Sequence, residues 1–435
     1  MHTLTGDGDM TEEEWKIIKS IPKGVRYYGG SRFDTCYPKE RRDKMWDPYG
    51  GHYFILPAIE LRKESSRTNT HEQESFVTDG NVMNDAEDIL PVVETASSTF
   101  QKNCYETQIA INLRYGEGSR HLSILDAVDF ALGIIDDCLA GVSSSVAPLL
   151  PPILNIDDSE NEEYWENGVN TALSRICDDK NFEVADTNFR SPGDSSVQSL
   201  SPTLTKVVLA RRADLHVSDS LHPLDPLMRY KLSGHFGHFL LFQPERSSPI
   251  YEEVPVLVSC TPERLFRVDT STIQTEALAG TRPRGLNPTE DAFLLKDLMS
   301  SSKDISENQI TSEFISDAFE QLARTGFVET ENFDDIKGYR FVRRLRHLQH
   351  ICQQFKARKC VNANVIDTAK EVMKRLHPTP AMCGMPVDAA RNFIRSHEPF
   401  DRGFYAGPFG YLGMNSCDMV VSIRSGLLTF PENPS

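Results

Sequence analysis

Asp304 and Glu307 stand three residues apart in KDISEN, and on one continuous helix that spacing puts both carboxylates on the same face. Ser306 offers a second arrangement: as an N-cap it would leave both acids beside the start of a new helix. Either way, oxygen ligands converge toward one ion, while the plain alternative is a solvated acidic turn that binds nothing. His347 and His377 belong to no HExxH or comparable cluster, so they read as structural or hydrogen-bonding residues and a zinc hydrolase is rejected. There is no GxGxxG or Walker loop to support a dinucleotide or nucleoside triphosphate site.

The elements that must hold those acids are helical. DAFLLKDLMSSSKD follows a Pro-containing turn and is expected to run to Asp304, and SENQITSEFISDAFEQLARTG continues as helix to near Gly326. Ahead of them, KVVLARRADL, HFLLFQP and VPVLVSCTPERLFRVD have strand character, the last with a turn at Thr261-Pro262. In the first half, YYGGSRFD (Tyr27 to Asp34) suggests a turn entering a strand, HYFILPAIEL (His52 to Leu61) a strand, and RKESSRTNTHEQES an exposed loop. QIAINLRYG resembles a strand, and SILDAVDFALGIIDDCLAGV, from Ser123, has helical spacing that the proline-rich APLLPPILNI cannot continue. Asn188 to Thr203 is rich in Ser, Pro and Gly and reads as an exposed connection. The expected class is α/β (α+β), with several antiparallel strands and no regular βαβ alternation.

At 435 residues and 39% hydrophobic content, the chain can bury a large core. The formal charge of -17 argues against general nucleic-acid binding. It equally means that an anionic small substrate needs a local cationic patch or a metal. Nine scattered cysteines, odd in number, speak against a disulfide framework and for a reducing intracellular setting, cytoplasmic or plastid. No apolar run approaches the roughly 20 residues of a membrane span, and MHTLTGDGDMTEEEW has neither a secretory nor a transit-peptide pattern.

Six segments then appear in a telling order: KVVLARR from Lys206, TPERLF from Thr261, ALAGTRPRG from Ala277, LHPTPAMCGMP from Leu376, FDRGFYAGPFGYLG from Phe400 and VVSIRSG from Val420. Their order and spacing resemble the chorismate-binding family, which includes isochorismate, salicylate, anthranilate and aminodeoxychorismate synthases. The resemblance is strong over about residues 200 to 426, and GGSRFD and FILPAIEL support it earlier. It implies an anthranilate synthase component I-like fold with large antiparallel sheets and surrounding helices. Within the family, Lys206 stands where water-using members carry lysine and ammonia-using ones typically glutamine. Ala279 in LAGT departs from the PIKGT loop of aminodeoxychorismate synthases, and Ala381 stands where salicylate synthases favour threonine. The balance resembles the isochorismate synthases, with salicylate synthase as the near alternative.

The implied chemistry adds water at C2 of chorismate as the C4 hydroxyl departs. By resemblance, Lys206 is the base and Glu263 the acid. Lysine can serve so only where burial or positive charge destabilises its ammonium, and glutamate only where the acid form is retained. Taken singly, Lys206 would more often be a strand-edge residue with its head in water, and Glu263 an exposed turn residue. Arg424 and Tyr405 resemble the two carboxylate contacts, Gly280 and Thr281 backbone or hydroxyl donors, and Ala381 and Met382 the ring pocket. Singly, Arg424 would be a surface charge and Tyr405 a core-edge aromatic. A divalent ion, Mg²⁺ by resemblance, would neutralise the ring carboxylate, with Glu307 as ligand and Asp304 as supporting acid.

The expected organisation is an N-terminal part of this fold over 1–190, a connection over 191–205 and a chorismate-binding region over 206–435. A monomer without a glutaminase partner is expected. The family continues after IRSG with a strand, a GAG-type turn and an ExxE segment followed by lysine, where this sequence reads LLTFPENPS and Glu432 is no substitute. The expectation is therefore a metal site with one protein wall, weaker Mg²⁺ binding and an exposed sheet edge.

Overall fold

The structure, a computed structural model, describes residues 2–57, 59–65, 92–94, 105–111, 149–157, 161–180, 204–233, 237–245, 254–330 and 338–429. Its largest element is an eleven-stranded sheet. In chain order the strands are β1 His2–Gly6, β2 Arg26–Ser31, β3 His52–Leu56, β4 Val92–Glu94, β5 Arg264–Asp269, β6 Thr272–Pro283, β7 Val328–Glu329, β8 Tyr339–Arg344, β9 Leu348–Lys359, β10 Pro408–Gly413 and β11 Ser416–Val421. Their spatial order is β1-β3-β2-β10-β11-β5-β6-β9-β8-β4, with β7 on β9. Every pair is antiparallel except β4 with β8.

Seven helices are described: α1 Glu12–Lys19, α2 Asn161–Lys180, α3 Leu224–Leu232, α4 Pro288–Ser300, α5 Ser302–Arg324, α6 Val365–Leu376 and α7 Val387–His397. None among the described residues is long and apolar enough to cross a membrane. The expected class holds: antiparallel sheet with helices around it.

The alternation of the central strands explains the layering. Ala277 of β6 and Phe355 of β9 join the main core beneath α5, whose Ile315, Ala318, Phe319 and Leu322 form a buried stripe at helical spacing. Leu278, Phe341 and Cys352, from β6, β8 and β9, form a separate small cluster on the opposite face. Between Ala279 and Thr281 the β6–β9 register shifts, so that Thr281 rather than Gly280 stands opposite His350. A bulge of this kind re-aims one side chain without disturbing the rest of the ladder.

Smaller sheets carry the remaining motifs. His238–Phe242, Val256–Thr261 and Ser425–Leu428 make a three-stranded sheet, and Lys206–Val207 pairs with Gly384–Met385. One buried ion pair ties the N-terminal strands to the C-terminal motif: Arg32 Nη1 contacts both carboxylate oxygens of Asp401 at 2.8 and 2.6 Å.

Several local expectations change. The glycines of YYGGS lie inside β2, where a Cβ at Gly29 would fall 1.9 Å from the Tyr53 carbonyl oxygen; close strand approach, not a turn, is their use. HYFILPAIEL breaks at Pro57 into β3 and Ile59–Ser65, which belong to different sheets, so the RKES expected in a loop is strand. KVVLARRADL is strand only at Lys206–Val207 and Asp214–Val217. The helix break falls at Ser301, whose hydroxyl accepts from the Asp304 amide, rather than after Asp304 or at Ser306. QIAI lies in the strand Tyr105–Ile111, whereas the helix expected from Ser123 and the whole of the Asn188–Thr203 connection lie outside the described residues.

Candidate functional site

Pro262 has no amide hydrogen to continue the ladder, so the chain leaves the strand Val256–Thr261 there and re-enters sheet at Arg264. Glu263 occupies the step. Its amide donates to Thr261 Oγ1 and its carbonyl accepts from Val421, which fixes the backbone on both sides. The side chain is only 5% exposed, and its carboxyl makes no hydrogen bond among the described residues. Burial, aided by the Glu276 carboxylate and opposed by Lys206 and Arg424, pushes it up to about 8. Burial thus favours the protonated form of Glu263, which is the state a general acid needs.

Lys206 is held by the two-residue pairing with Gly384–Met385, flanked by Thr205 N–H to Met385 O and Val208 N–H to Cys383 O. The segment around Ala381 and Met382 thus positions the lysine as well as lying near it in space. Lys206 Nζ is shielded from solvent, lies 3.2 Å from Glu307 Oε1 and has no hydrogen-bonded partner. Glu307 and Asp304 both sit in the first two turns of α5, on the face their spacing implies. Asp304 is buried and pairs with Arg282 at 2.9 Å. Gly280, at φ +76, lies directly against it: an added Cβ would be 2.9 Å from Asp304 Cβ. Glycine is needed here for the left-handed backbone and for the approach of the acidic helix.

Arg424 takes φ 50, an uncommon left-handed conformation for a residue with a side chain. Its carbonyl accepts from the Cys260 amide at the junction with Ser425–Leu428. Its exposed guanidinium makes no hydrogen bond or ion pair among the described residues, yet its charge reaches Glu263, His350 and Cys260. Tyr405 is half-buried and raised by burial, with Arg402 opposing and Glu398 and Glu263 adding to the rise. Arg402 organises this wall: it pairs with Glu398, donates to the carbonyls of Met382 and Val208, and packs over Phe33.

The structure thus gathers Lys206, Glu263, Glu307, Arg424 and Tyr405, and sets Asp304 against Gly280. Thr281 joins through His350, while Ala381 and Met382 join through the Lys206 pairing and Arg402. Three participants escaped sequence reasoning: Glu276, Arg343 and His350. Glu276 accepts both Arg343 nitrogens, at 3.1 and 2.9 Å, and its charge bears on Glu263. His350 accompanies Thr281, its Nδ1 2.9 Å from Thr281 Oγ1. The available signal was that Glu276 and His350 are polar residues at inward positions of long strands. His377 keeps the structural role expected of it: Nε2 meets the Phe33 carbonyl at 3.0 Å, and desolvation lowers it to about 4.

The donor set on the acidic helix is oxygen only. Two carboxylates, each facing one cation, fit a hard ion such as Mg²⁺ that keeps waters and accepts a substrate oxygen, and do not resemble a zinc cage. Among the described residues there is no group of three or more His, Cys, Asp or Glu placed to hold a metal.

Comparisons with known proteins come from three directions. The family model of chorismate binding enzymes matches residues 156–432. A chloroplastic isochorismate synthase of Catharanthus roseus is 38% identical over 428 residues, covering 96% of this chain and 58% of that protein. Isochorismate synthase MenF of Bacillus subtilis is 30% identical over 425 residues, covering 96% of this chain and 69% of that protein. A second plant relative, chloroplastic isochorismate synthase 2 of Arabidopsis thaliana, is covered to 60%, so the chain spans about three fifths of the length of its plant relatives. The solved menaquinone-specific isochorismate synthase MenF of Escherichia coli superimposes with a TM-score of 0.59 at 19% identity, over 99% of this chain and 76% of that one. Anthranilate synthase component I from Streptococcus pneumoniae gives 0.61 at 16%, over 97% and 78%, and at such identities the likeness speaks for the fold.

Proposed function

The chain belongs to the chorismate-binding enzyme family, and from that premise we propose that it converts chorismate to isochorismate. The observation that carries the reading is the buried Glu263, whose carboxyl has no hydrogen-bond partner among the described residues and feels the charge of Lys206. In the proposed step a water oxygen bonds to C2, the ring diene shifts, and the C4–oxygen bond breaks. Lys206, acting as the general base, takes a proton from the attacking water. Glu263 gives its proton to the departing hydroxyl, which leaves as water. The products are an ammonium and a carboxylate, and the electrostatic pull of Lys206 on Glu263 favours that pair once it forms.

Substrate capture has to overcome a formal charge of -17. Arg424, with no protein acceptor among the described residues, is proposed to grip one carboxylate, with Tyr405 and Thr281 beside it. Magnesium is proposed at Glu307, with Asp304 in support. When bound, it would neutralise the ring carboxylate. Gly280 allows this approach, and Ala381 and Met382 are proposed to border the ring. Water in place of ammonia removes any need for an ammonia-supplying subunit, so a monomer without a glutaminase partner is proposed. The two plant relatives are chloroplastic enzymes by name, and a plastid is the compartment proposed by extension.

The test is incubation of the folded chain with chorismate and Mg²⁺, with a chelator control and chromatographic separation of products. Isochorismate alone, abolished by chelation, is the expected result. Salicylate with pyruvate would move the reading to salicylate synthase, and no turnover by folded protein would contradict it.

A further inference from the structure

The segment that carries Lys206 has little sheet of its own to hold it. Its ladder is Lys206–Val207 against Gly384–Met385, extended by one bond from the Val208 amide to the Cys383 carbonyl. Residues 208–213 belong to no strand. Val207 and Leu209 pack against the main core, but apolar packing is non-directional and leaves the register of a short extended segment loose.

Two side chains stand where a neighbouring strand would be. Arg402 Nη2 donates to the Val208 carbonyl at 2.8 Å, and the Glu398 carboxylate accepts from the Ala210 amide at 2.8 Å. In extended backbone the carbonyl of one residue and the amide two residues on face the same edge, so the pair bonds them as a strand would. The two are also partners of each other: Nε and Nη2 of Arg402 meet the Glu398 carboxylate, and each side chain is 4% exposed. Arg402 Nη1 reaches the Met382 carbonyl at 3.0 Å, and the Arg402 carbonyl accepts from the Tyr405 amide. One ion pair thus ties together the segments of Lys206, of Ala381 and Met382, and of Tyr405.

Stability alone does not call for this device. Buried ion pairs replaced by apolar residues of similar volume often leave a fold equally stable or more so. Apolar residues could not bond the Val208 carbonyl or the Ala210 amide, and the planar fork of arginine lets one cation serve Glu398, Val208 and Met382 together.

We propose that Arg402 and Glu398 are positioning residues that act through Lys206: their ion pair serves as the missing strand for residues 208–210 and sets the lysine in register with the wall of Met382 and Tyr405. This rests on the reading of the site as a chorismate site with Lys206 as base. Neither residue is assigned a contact with substrate.

The test compares wild type with the apolar pair Arg402→Met, Glu398→Leu, each with and without Lys206→Ala, with unfolding midpoints recorded for all. Turnover is read separately from chorismate affinity, the latter by equilibrium titration of the full chain with Mg²⁺ present. A misplacement of about 1 Å suffices for a turnover loss of about 10²-fold, while affinity is expected to stay within about threefold because Arg424 is untouched. In the Lys206→Ala background the same change is expected to cost less than about twofold, since residues acting as one unit are not additive. Arg402→Lys keeps the charge without the fork; a turnover loss of about tenfold is expected, and it carries the same test if the apolar pair does not fold. Turnover within about threefold of wild type in a folded variant would overturn the assignment, as would equal losses in both backgrounds, which would mark a packing role. If wild type turns over no chorismate, the reading of the site fails, and amide exchange of residues 206–210 decides separately. Exchange faster by about tenfold or more in the variants supports the positioning role, and unchanged exchange contradicts it.

Discussion

Two buried regions of this molecule handle polar groups in opposite ways. At the junction of the N-terminal strands with the C-terminal motif, Arg32 and Asp401 pair through two contacts, and Arg32 Nε also donates to the Gly50 carbonyl. Nearby, Arg402 pairs with Glu398 and donates to two carbonyls. These charges are satisfied within the protein and hold segments together. Around Glu263 the pattern reverses: its carboxyl makes no hydrogen bond among the described residues, Lys206 Nζ has a counter-charge but no hydrogen bond, and His350 Nε2 has no partner. The paired charges at that junction hold scaffold segments together, while the unpaired polar groups of Glu263, Lys206 and His350 lie where the proposed substrate would meet them.

The sharpest way to separate the two regions is Glu263→Gln. A neutral amide replaces a carboxyl whose neutral form burial favours, so the variant is expected to be at least as stable as wild type near neutral pH while turnover drops about 10²–10⁴-fold, the usual size of general acid–base effects. Product formation and chemical unfolding, measured on the same samples, check both halves. Asp401→Ala should do the reverse. It leaves the Arg32 guanidinium buried without its partner, and a loss of about 3–5 kcal/mol in unfolding free energy is expected. Gly280→Ala falls between the regions: the left-handed backbone and the contact with Asp304 predict a loss of about 1–3 kcal/mol, with weakened chorismate binding in the same titrations.

The pH dependence of stability distinguishes the regions further. The folded-state pKa of Glu263 is raised from 4.5 to about 8, so over that interval the folded state keeps a proton that the unfolded state has released. Its contribution is full below about 4.5 and is lost as pH rises through about 8. His350 and His377 are lowered from 6.5 to about 4, so each is unpenalised above about 6.5 and costs stability as pH falls toward 4. Unfolding curves for wild type and Glu263→Gln should therefore diverge with rising pH, the variant losing less stability between about pH 5 and 8. The smallest effect belongs to the exposed Arg324–Glu320 pair, where Arg324→Ala should change stability by less than about 0.5 kcal/mol.

Some of this was legible in the residues themselves. The spacing of Asp304 and Glu307 gave their common helical face, and the strand character of HFLLFQP and VPVLVSCTPERLFRVD survived with its break at Thr261-Pro262. The Ser301 break was harder, because three consecutive serines offer three equivalent caps and only tertiary packing chooses among them. YYGGS misled because paired glycines signal turns locally, and the close approach of β2 to its neighbours depends on strands distant in sequence. His350 and Glu276 were out of reach for a similar reason. Their importance comes from the register of β6 with β9 and from one bulge, neither of which leaves a periodic trace in the chain.

The most direct measurement is the protonation state of Glu263, followed by infrared difference spectroscopy between wild type and Glu263→Gln across a pH titration. A carboxylic-acid carbonyl band, absent from the variant, present at neutral pH and disappearing near about pH 8, is the expected result. A Glu263 already ionised well below neutrality would contradict the claim that this site holds a ready general acid.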